Sequence, residues 1–189
     1  MAFMESTELE QIRAALDGSP HSFEGLIRLY GRRLQAVAYG VLQNCQEAED
    51  VVQEVFLKAY KHGAQGRIRD MEKVPAWLAA LTRNAAIDVL RRRRTVHLSP
   101  EMEDGYADGA AVPAHVPMER AERSRQLDAL LSSLPENHRT AVTLRFMEGM
   151  DYEGIARMMG LSHGALRGIL GRAMGTLRRE AVSTGMTLN

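Results

Sequence analysis

An all-α protein, built as two small helical domains joined by a flexible acidic linker, is what this sequence predicts. Three observations lead there. Apolar residues recur at three- and four-residue steps through most of the chain. Strong helix formers dominate, with few β-branched or aromatic runs. The periodicity lapses over residues 97–118, a stretch marked by Pro100, Pro113, Pro117, Gly105 and Gly109.

The predicted elements follow in chain order. Residues 1–21 form an N-terminal segment. From Ser22 a long amphipathic helix places Phe23, Leu26, Ile27, Tyr30, Leu34, Val37, Ala38 and Val41 on one stripe. After a polar break near Asn44, residues 48–61 repeat the pattern with Val51, Val52, Val55, Phe56, Ala59 and Tyr60 inward. Gly63 and Gly66 mark a loop. A third helix spans about 74–94, with Pro75 in its first turn and Trp77, Leu78, Leu81, Ala85 and Val89 available for packing. These helices make a first domain, 22–96, and the linker 97–118 follows. The pattern returns at Leu127, Leu130, Leu131 and Leu134, stops at Pro135 and resumes with Ala141, Val142, Leu144 and Phe146. Helices at about 152–159 and 163–180 complete a second domain, 119–182, leaving 183–189 as a frayed tail.

Composition bounds the function. The 189 residues are 45 % apolar, enough for packed cores, yet no run approaches the roughly 18 apolar residues of a membrane-spanning helix. Glu5, Glu8 and Glu10 stand where a signal peptide would have a basic start and an apolar stretch, which predicts a cytoplasmic protein without membrane insertion. The single cysteine, Cys45, allows no internal disulfide and no cysteine cluster for zinc. Net charge is zero, but it is segregated. Residues 61–97 hold 9 basic and 3 acidic side chains and 136–189 hold 7 and 5, whereas 1–60 hold 5 and 9 and 98–135 hold 3 and 7. Two positive zones alternating with two negative ones suit a protein that meets phosphates at two places and protein at others.

Residues 151–172 have the logic of a DNA-reading helix-turn-helix. Ile155, Met159, Leu161, Leu166 and Ile169 fall where two crossed helices pack, Ala156 sits at their closest approach, Gly160 occupies the turn and Ser162 caps the second helix. His163, Arg167, Gly168, Gly171 and Arg172 point outward, followed by Arg178 and Arg179. In the first domain, Asn84, Asp88 and Arg91 share a polar stripe leading to the run Arg91 to Arg94. On the helix before it, Asp50, Gln53, Glu54 and Leu57 form a mostly acidic stripe opposite the apolar one.

Together, AEDVVQEVFLKAY, WLAALTRNAAIDVLRRRR, an acidic linker and LPENHRTAVTLRFMEGMDYEGIARMMGLS resemble the extracytoplasmic-function sigma factors of the sigma-70 family, from about Ser22 to Arg179. The resemblance implies that the first domain is sigma region two and the second region four. It implies that Asp50, Gln53, Glu54 and Leu57 bind the β′ clamp helices of core RNA polymerase. Arg83, Asn84, Asp88 and Arg91 would lie near the flipped bases of the minus-ten promoter element. Ser162, His163, Arg167, Gly168, Gly171 and Arg172 would face the minus-35 duplex, with region four resting on the β flap. The linker would pass near the path of nascent RNA. An anti-sigma factor is the expected regulator, with the linker as a hinge between free and sequestered arrangements. The recognition helix departs from the family pattern: Gly168, Ile169 and Met174 stand where a serine and two arginines are usual.

Other classes explain less. A sigma mimic that titrates an anti-sigma factor is the alternative, motivated by those departures. A conventional helix-turn-helix repressor or activator leaves the first domain without a role. An enzyme fits least: the six histidines are scattered, and no catalytic, cofactor or metal-ligand spacing appears.

Overall fold

The computed structural model describes residues 6–16, 20–65, 68, 70–97 and 118–183. Among these there are eight α-helices and no strand: α1 Ser6–Leu16, α2 Pro20–Leu42, α3 Cys45–Ala64, α4 Val74–His97, α5 Met118–Ser132, α6 Glu136–Val142, α7 Tyr152–Met159 and α8 His163–Ser183. The fold is all-α, as the periodicity predicts. The linker reading falls on residues 98–117 and the tail reading on 184–189, both outside the described residues.

In the first bundle, α2 lies against α1, α3 and α4. Phe23, Leu26, Tyr30, Leu34, Val37, Ala38 and Val41 are buried along α2, while Ile27, expected on the same stripe, is 42 % exposed. Phe23 meets Phe56 and Tyr60 of α3 edge-on, with centroids 6.2 and 5.1 Å apart. The break between α2 and α3 is built by Gln43, at φ 54°, and by Asn44, whose Oδ1 accepts a 3.0 Å bond from the Glu47 amide. On α4, Leu78 is fully buried, but Trp77, Leu81, Ala85 and Val89 only flank the core. The deepest residues beside Leu78 are Val74, Ala79, Thr82 and Ala86. Thr82 can be buried because its hydroxyl donates to the Leu78 carbonyl at 2.8 Å. The N-terminal segment contributes α1, which the sequence reading leaves unassigned; Ile12, Ala15 and Leu16 bury it against its neighbours.

In the second bundle, Leu130, Leu131 and Leu134 are buried, and α5 packs against α8. Residues Thr143–Met147 form a π turn, whose wider winding shifts the side-chain register. Phe146, which the sequence pattern puts with the buried residues, is consequently 60 % exposed, while Thr143 and Leu144 face inward. The helix-turn-helix is formed by α7 and α8. Asp151 caps α7 through the Gly154 amide at 2.7 Å, Gly160 takes φ 65° in the turn, and Ser162 caps α8 through the Ala165 amide at 3.2 Å.

The bundles share one buried apolar set, with α6 against α2 and α7 against α4. At the junction Arg139 is only 5 % exposed. Its guanidinium donates to the carbonyls of Leu131 (2.8 Å) and Leu134 (2.8 Å) in its own bundle and of Gly40 (2.6 Å) in α2. Burial pulls its pKa down. Gly40 is glycine for a local reason: a Cβ there would collide with the Thr140 hydroxyl.

Arg139→Met leaves the carbonyls of Leu131, Leu134, Gly40 and, at 3.5 Å, Ser132 without their donor, and a destabilisation of about 3 kcal/mol or more is expected. Urea titration of the full chain measures it. Gly40→Ala, by contrast, should leave the helicity intact and loosen the junction, seen as faster amide exchange in α6.

Candidate functional site

Three surfaces collect the predicted site residues. The first lies on α3, where steps of 3, 1 and 3 put Asp50, Gln53, Glu54 and Leu57 on one face. All four are exposed, and Leu57 is 63 % exposed. An uncovered leucine flanked by carboxylates makes a mixed acidic and apolar patch, suited to a protein partner that supplies basic and apolar side chains. Glu54 also pairs with Lys58 at 2.6 Å, and that bond holds its carboxyl below its ordinary pKa.

The second surface is the outer side of α4. Asn84, Asp88 and Arg91 lie exposed on one stripe, with Asp88 and Arg91 3.7 Å apart. Arg83 is brought elsewhere. Its guanidinium forks onto Glu136 at the start of α6, Nε to Oε1 at 2.5 Å and Nη2 to Oε2 at 3.3 Å. The arginine run is also divided: Arg92 is exposed, whereas Arg93 turns back to Glu47 of α3, with Nε 2.9 Å from Oε1. The side chain of Arg94 lies outside the described residues. The run of arginines is therefore split, because Glu47 on the neighbouring helix captures one of its charges.

The third surface is α8. Ser162, His163, Arg167, Gly171 and Arg172 are exposed, and Gly168 is half-buried beneath the Arg172 guanidinium. A Cβ on Gly164 or Gly171 would meet nothing within 4 Å, so packing within the chain does not require glycine at either position. Each costs about 1 kcal/mol of helix propensity relative to alanine. The N-terminal amides of α8, with their partial positive charge, and the arginines together present a face suited to phosphate.

Sequence reasoning missed Arg139 and Glu136, which join the bundles. A lone arginine or glutamate carries no periodic signal, and nothing local announces that its partner lies 99 or 53 residues away. No group of three or more His, Cys, Asp or Glu among the described residues could hold a metal ion, and none of their helices is long and apolar enough to cross a membrane.

Comparisons with known proteins define the family. The family description Sigma-70 region 2 matches residues 26–96, and Sigma-70, region 4 matches 124–177. RNA polymerase sigma factor CarQ of Myxococcus xanthus is 33 % identical, over 80 % of this chain and 84 % of its own. The ECF RNA polymerase sigma factor SigM of Mycobacterium tuberculosis is 30 % identical, over 93 % and 85 %. The probable RNA polymerase sigma factor RfaY of Xanthomonas campestris is 34 % identical over 85 % of this chain, which spans only 42 % of that longer protein. The chain belongs to the extracytoplasmic-function sigma factors of the sigma-70 family. Two solved structures share its fold. CnrH, in complex with the cytosolic domain of CnrY, superposes with a TM-score of 0.62 at 22 % identity, covering 94 % of this chain and 99 % of its own. RpoE of Bartonella quintana, in complex with the anti-sigma factor NepR, gives 0.58 at 23 %, covering 83 % and 94 %.

Because the space around Gly171 is open, Gly171→Ala should stabilise the free chain by about 0.5–1 kcal/mol. Thermal unfolding checks this, and DNA affinity measured on the same variant reports whether a partner's backbone needs the gap.

Proposed function

We propose that the chain binds core RNA polymerase and directs promoter-specific initiation, with residues 22–96 acting as region two, 97–118 as the linker and 119–182 as region four. One observation carries the reading: the exposed acidic and apolar stripe of α3 stands beside the polar stripe of α4 in a chain that ends in a helix-turn-helix. Asp50, Gln53 and Glu54 supply acceptors and a donor for the β′ clamp helices, and Leu57 supplies apolar area that binding removes from water. Asn84, Asp88 and Arg91, joined by Arg83 once it leaves Glu136, receive the non-template strand of the minus-ten element. Extruding a base costs a few kcal/mol, and a protein site that holds it stabilises the melted bubble without ATP. On the minus-35 duplex, Ser162 and the α8 amides meet phosphate, while His163, Arg167, Arg172 and the gaps at Gly168 and Gly171 meet the groove and backbone. Region four also rests on the β flap.

The chain acts in the cytoplasm as a non-catalytic subunit without a cofactor, under an anti-sigma factor. The anti-sigma factor NepR bound to RpoE supports that last part. A second reading, a mimic that titrates an anti-sigma factor, is favoured by the glycines and missing arginines of α8. Binding to core polymerase separates the two, since a pure mimic has no need of it.

The decisive experiment mixes the purified chain with core polymerase and a genomic promoter library. Promoter-dependent transcripts are expected, and their absence with folded protein would refute the proposal. Replacing Asp50 and Glu54 together by alanine should weaken core binding about tenfold or more without changing helicity. Unchanged affinity would remove the clamp assignment.

A further inference from the structure

We propose that the gap between α4 and α7 is a binding site for a medium-chain carboxylic acid, its tail among alanines and methionines and its carboxylate on Arg83. The site goes beyond the promoter reading and does not depend on it.

A cavity of about 340 Å³ lies where α4 meets α7, with Val37 of α2 and Thr140 of α6 also on its border. Small-molecule sites run from roughly 300 to 1,000 Å³ and favour the meeting of two packed units, so both size and place suit a ligand. Side-chain volume leaves the space open. The α4 helix contributes Ala76, Ala79 and Ala80, and each sends no more than a methyl group across the gap. Opposite stand Met158 and Met159, unbranched side chains that can turn about their bonds to fit around a guest. Val37, Ala79 and Met158 are buried, whereas Ala80 and Arg83 are exposed, so the cavity is closed at one end and open at the other. A chain of methylenes matches these walls, because it removes apolar surface from water and leaves no polar atom unpaired.

The open end selects the head group. Arg83 and Glu136 both border it, and there the guanidinium forks onto the Glu136 carboxylate. The group that Arg83 takes at this position is thus displayed by the protein itself: a carboxylate received by two hydrogen bonds. The Arg83 and Glu136 side chains are 47 % and 32 % exposed. An ion pair so open to water contributes little, so an incoming carboxylate can replace Glu136, which turns to solvent. A cationic head would face the guanidinium, and a neutral one would lose the charge assistance. Apolar walls that end at a forked cation therefore define an apolar tail carrying one terminal carboxylate.

The test uses the full chain with isotope-labelled methionine methyl groups, and octanoate below its micelle-forming concentration as the probe. Saturable shifts of the Met158 and Met159 methyl resonances are expected, with Met147, exposed on the π turn, unchanged. Hexanoate should bind more weakly, by about fourfold for each missing methylene that the cavity fully buries. Octylammonium, with the same tail and the opposite charge, should bind about tenfold more weakly or worse. Arg83→Gln should weaken octanoate about fivefold, and Glu136→Gln, which removes the competing carboxylate, should tighten it. Ala80→Leu, at the exposed lip, should abolish the shifts while helicity stays that of the parent. Absence of saturable shifts, or equal shifts at Met147, overturns the site. Octylammonium binding as tightly as octanoate, or Arg83→Gln without effect, overturns the carboxylate assignment, and parental binding by folded Ala80→Leu overturns the cavity. The titration uses neither polymerase nor DNA, so a chain that binds octanoate but fails to initiate transcription would refute the promoter reading and leave the site standing.

Discussion

The guanidinium of Arg139 is the joint on which the arrangement of the two bundles depends. A buried cation is tolerable only when its donors are satisfied, and here they are satisfied from both sides: the carbonyls of Leu131, Ser132 and Leu134 close the turn between α5 and α6, and a fourth belongs to Gly40 in α2. Removing the second bundle from the first would leave one donor and one acceptor to find water. Gly40 and Thr140 add steric fit at the same point, because only a residue without a side chain lets α6 come this near α2. Directional bonds and close approach thus fix the position of the helix-turn-helix, while the apolar area around them supplies most of the attraction.

That joint also orders the surfaces. The α3 stripe lies outside it and stays open to a partner, with Leu57 uncovered. The α4 stripe is divided by it: Asn84, Asp88 and Arg91 remain exposed, and Arg83 is engaged by Glu136. The outer face of α8 is exposed along its first turns. The faces of α3 and α8 are thus open, while on α4 one arginine is paired across the junction.

Legibility from sequence followed the range of the interactions involved. The helices α2, α3, α4, α7 and α8 were readable because amphipathic periodicity, the Gly160 turn and the Ser162 cap are local. The outward residues of α3 and α8 were readable for the same reason, being what remains when the buried stripe is removed. Two local expectations failed: the π turn moved Phe146 outward, and Ile27, on the predicted apolar stripe of α2, is left exposed. The helix α1 was missed because its short apolar set, Ile12, Ala15 and Leu16, is interspersed with charge. The capture of Arg83 by Glu136 and of Arg93 by Glu47 depends on long-range approach, which a single sequence does not encode as a pattern.

A junction formed within one chain has a property that no complex between separate molecules shares. Its two halves are tethered at an effective concentration fixed by the connecting segment, so the extent of closure is the same in a dilute and in a crowded population of this protein. Capture by an outside molecule instead rises with the abundance of that molecule. The fraction of chains captured by such a molecule therefore depends on the ratio of the two, whereas the junction within each chain does not.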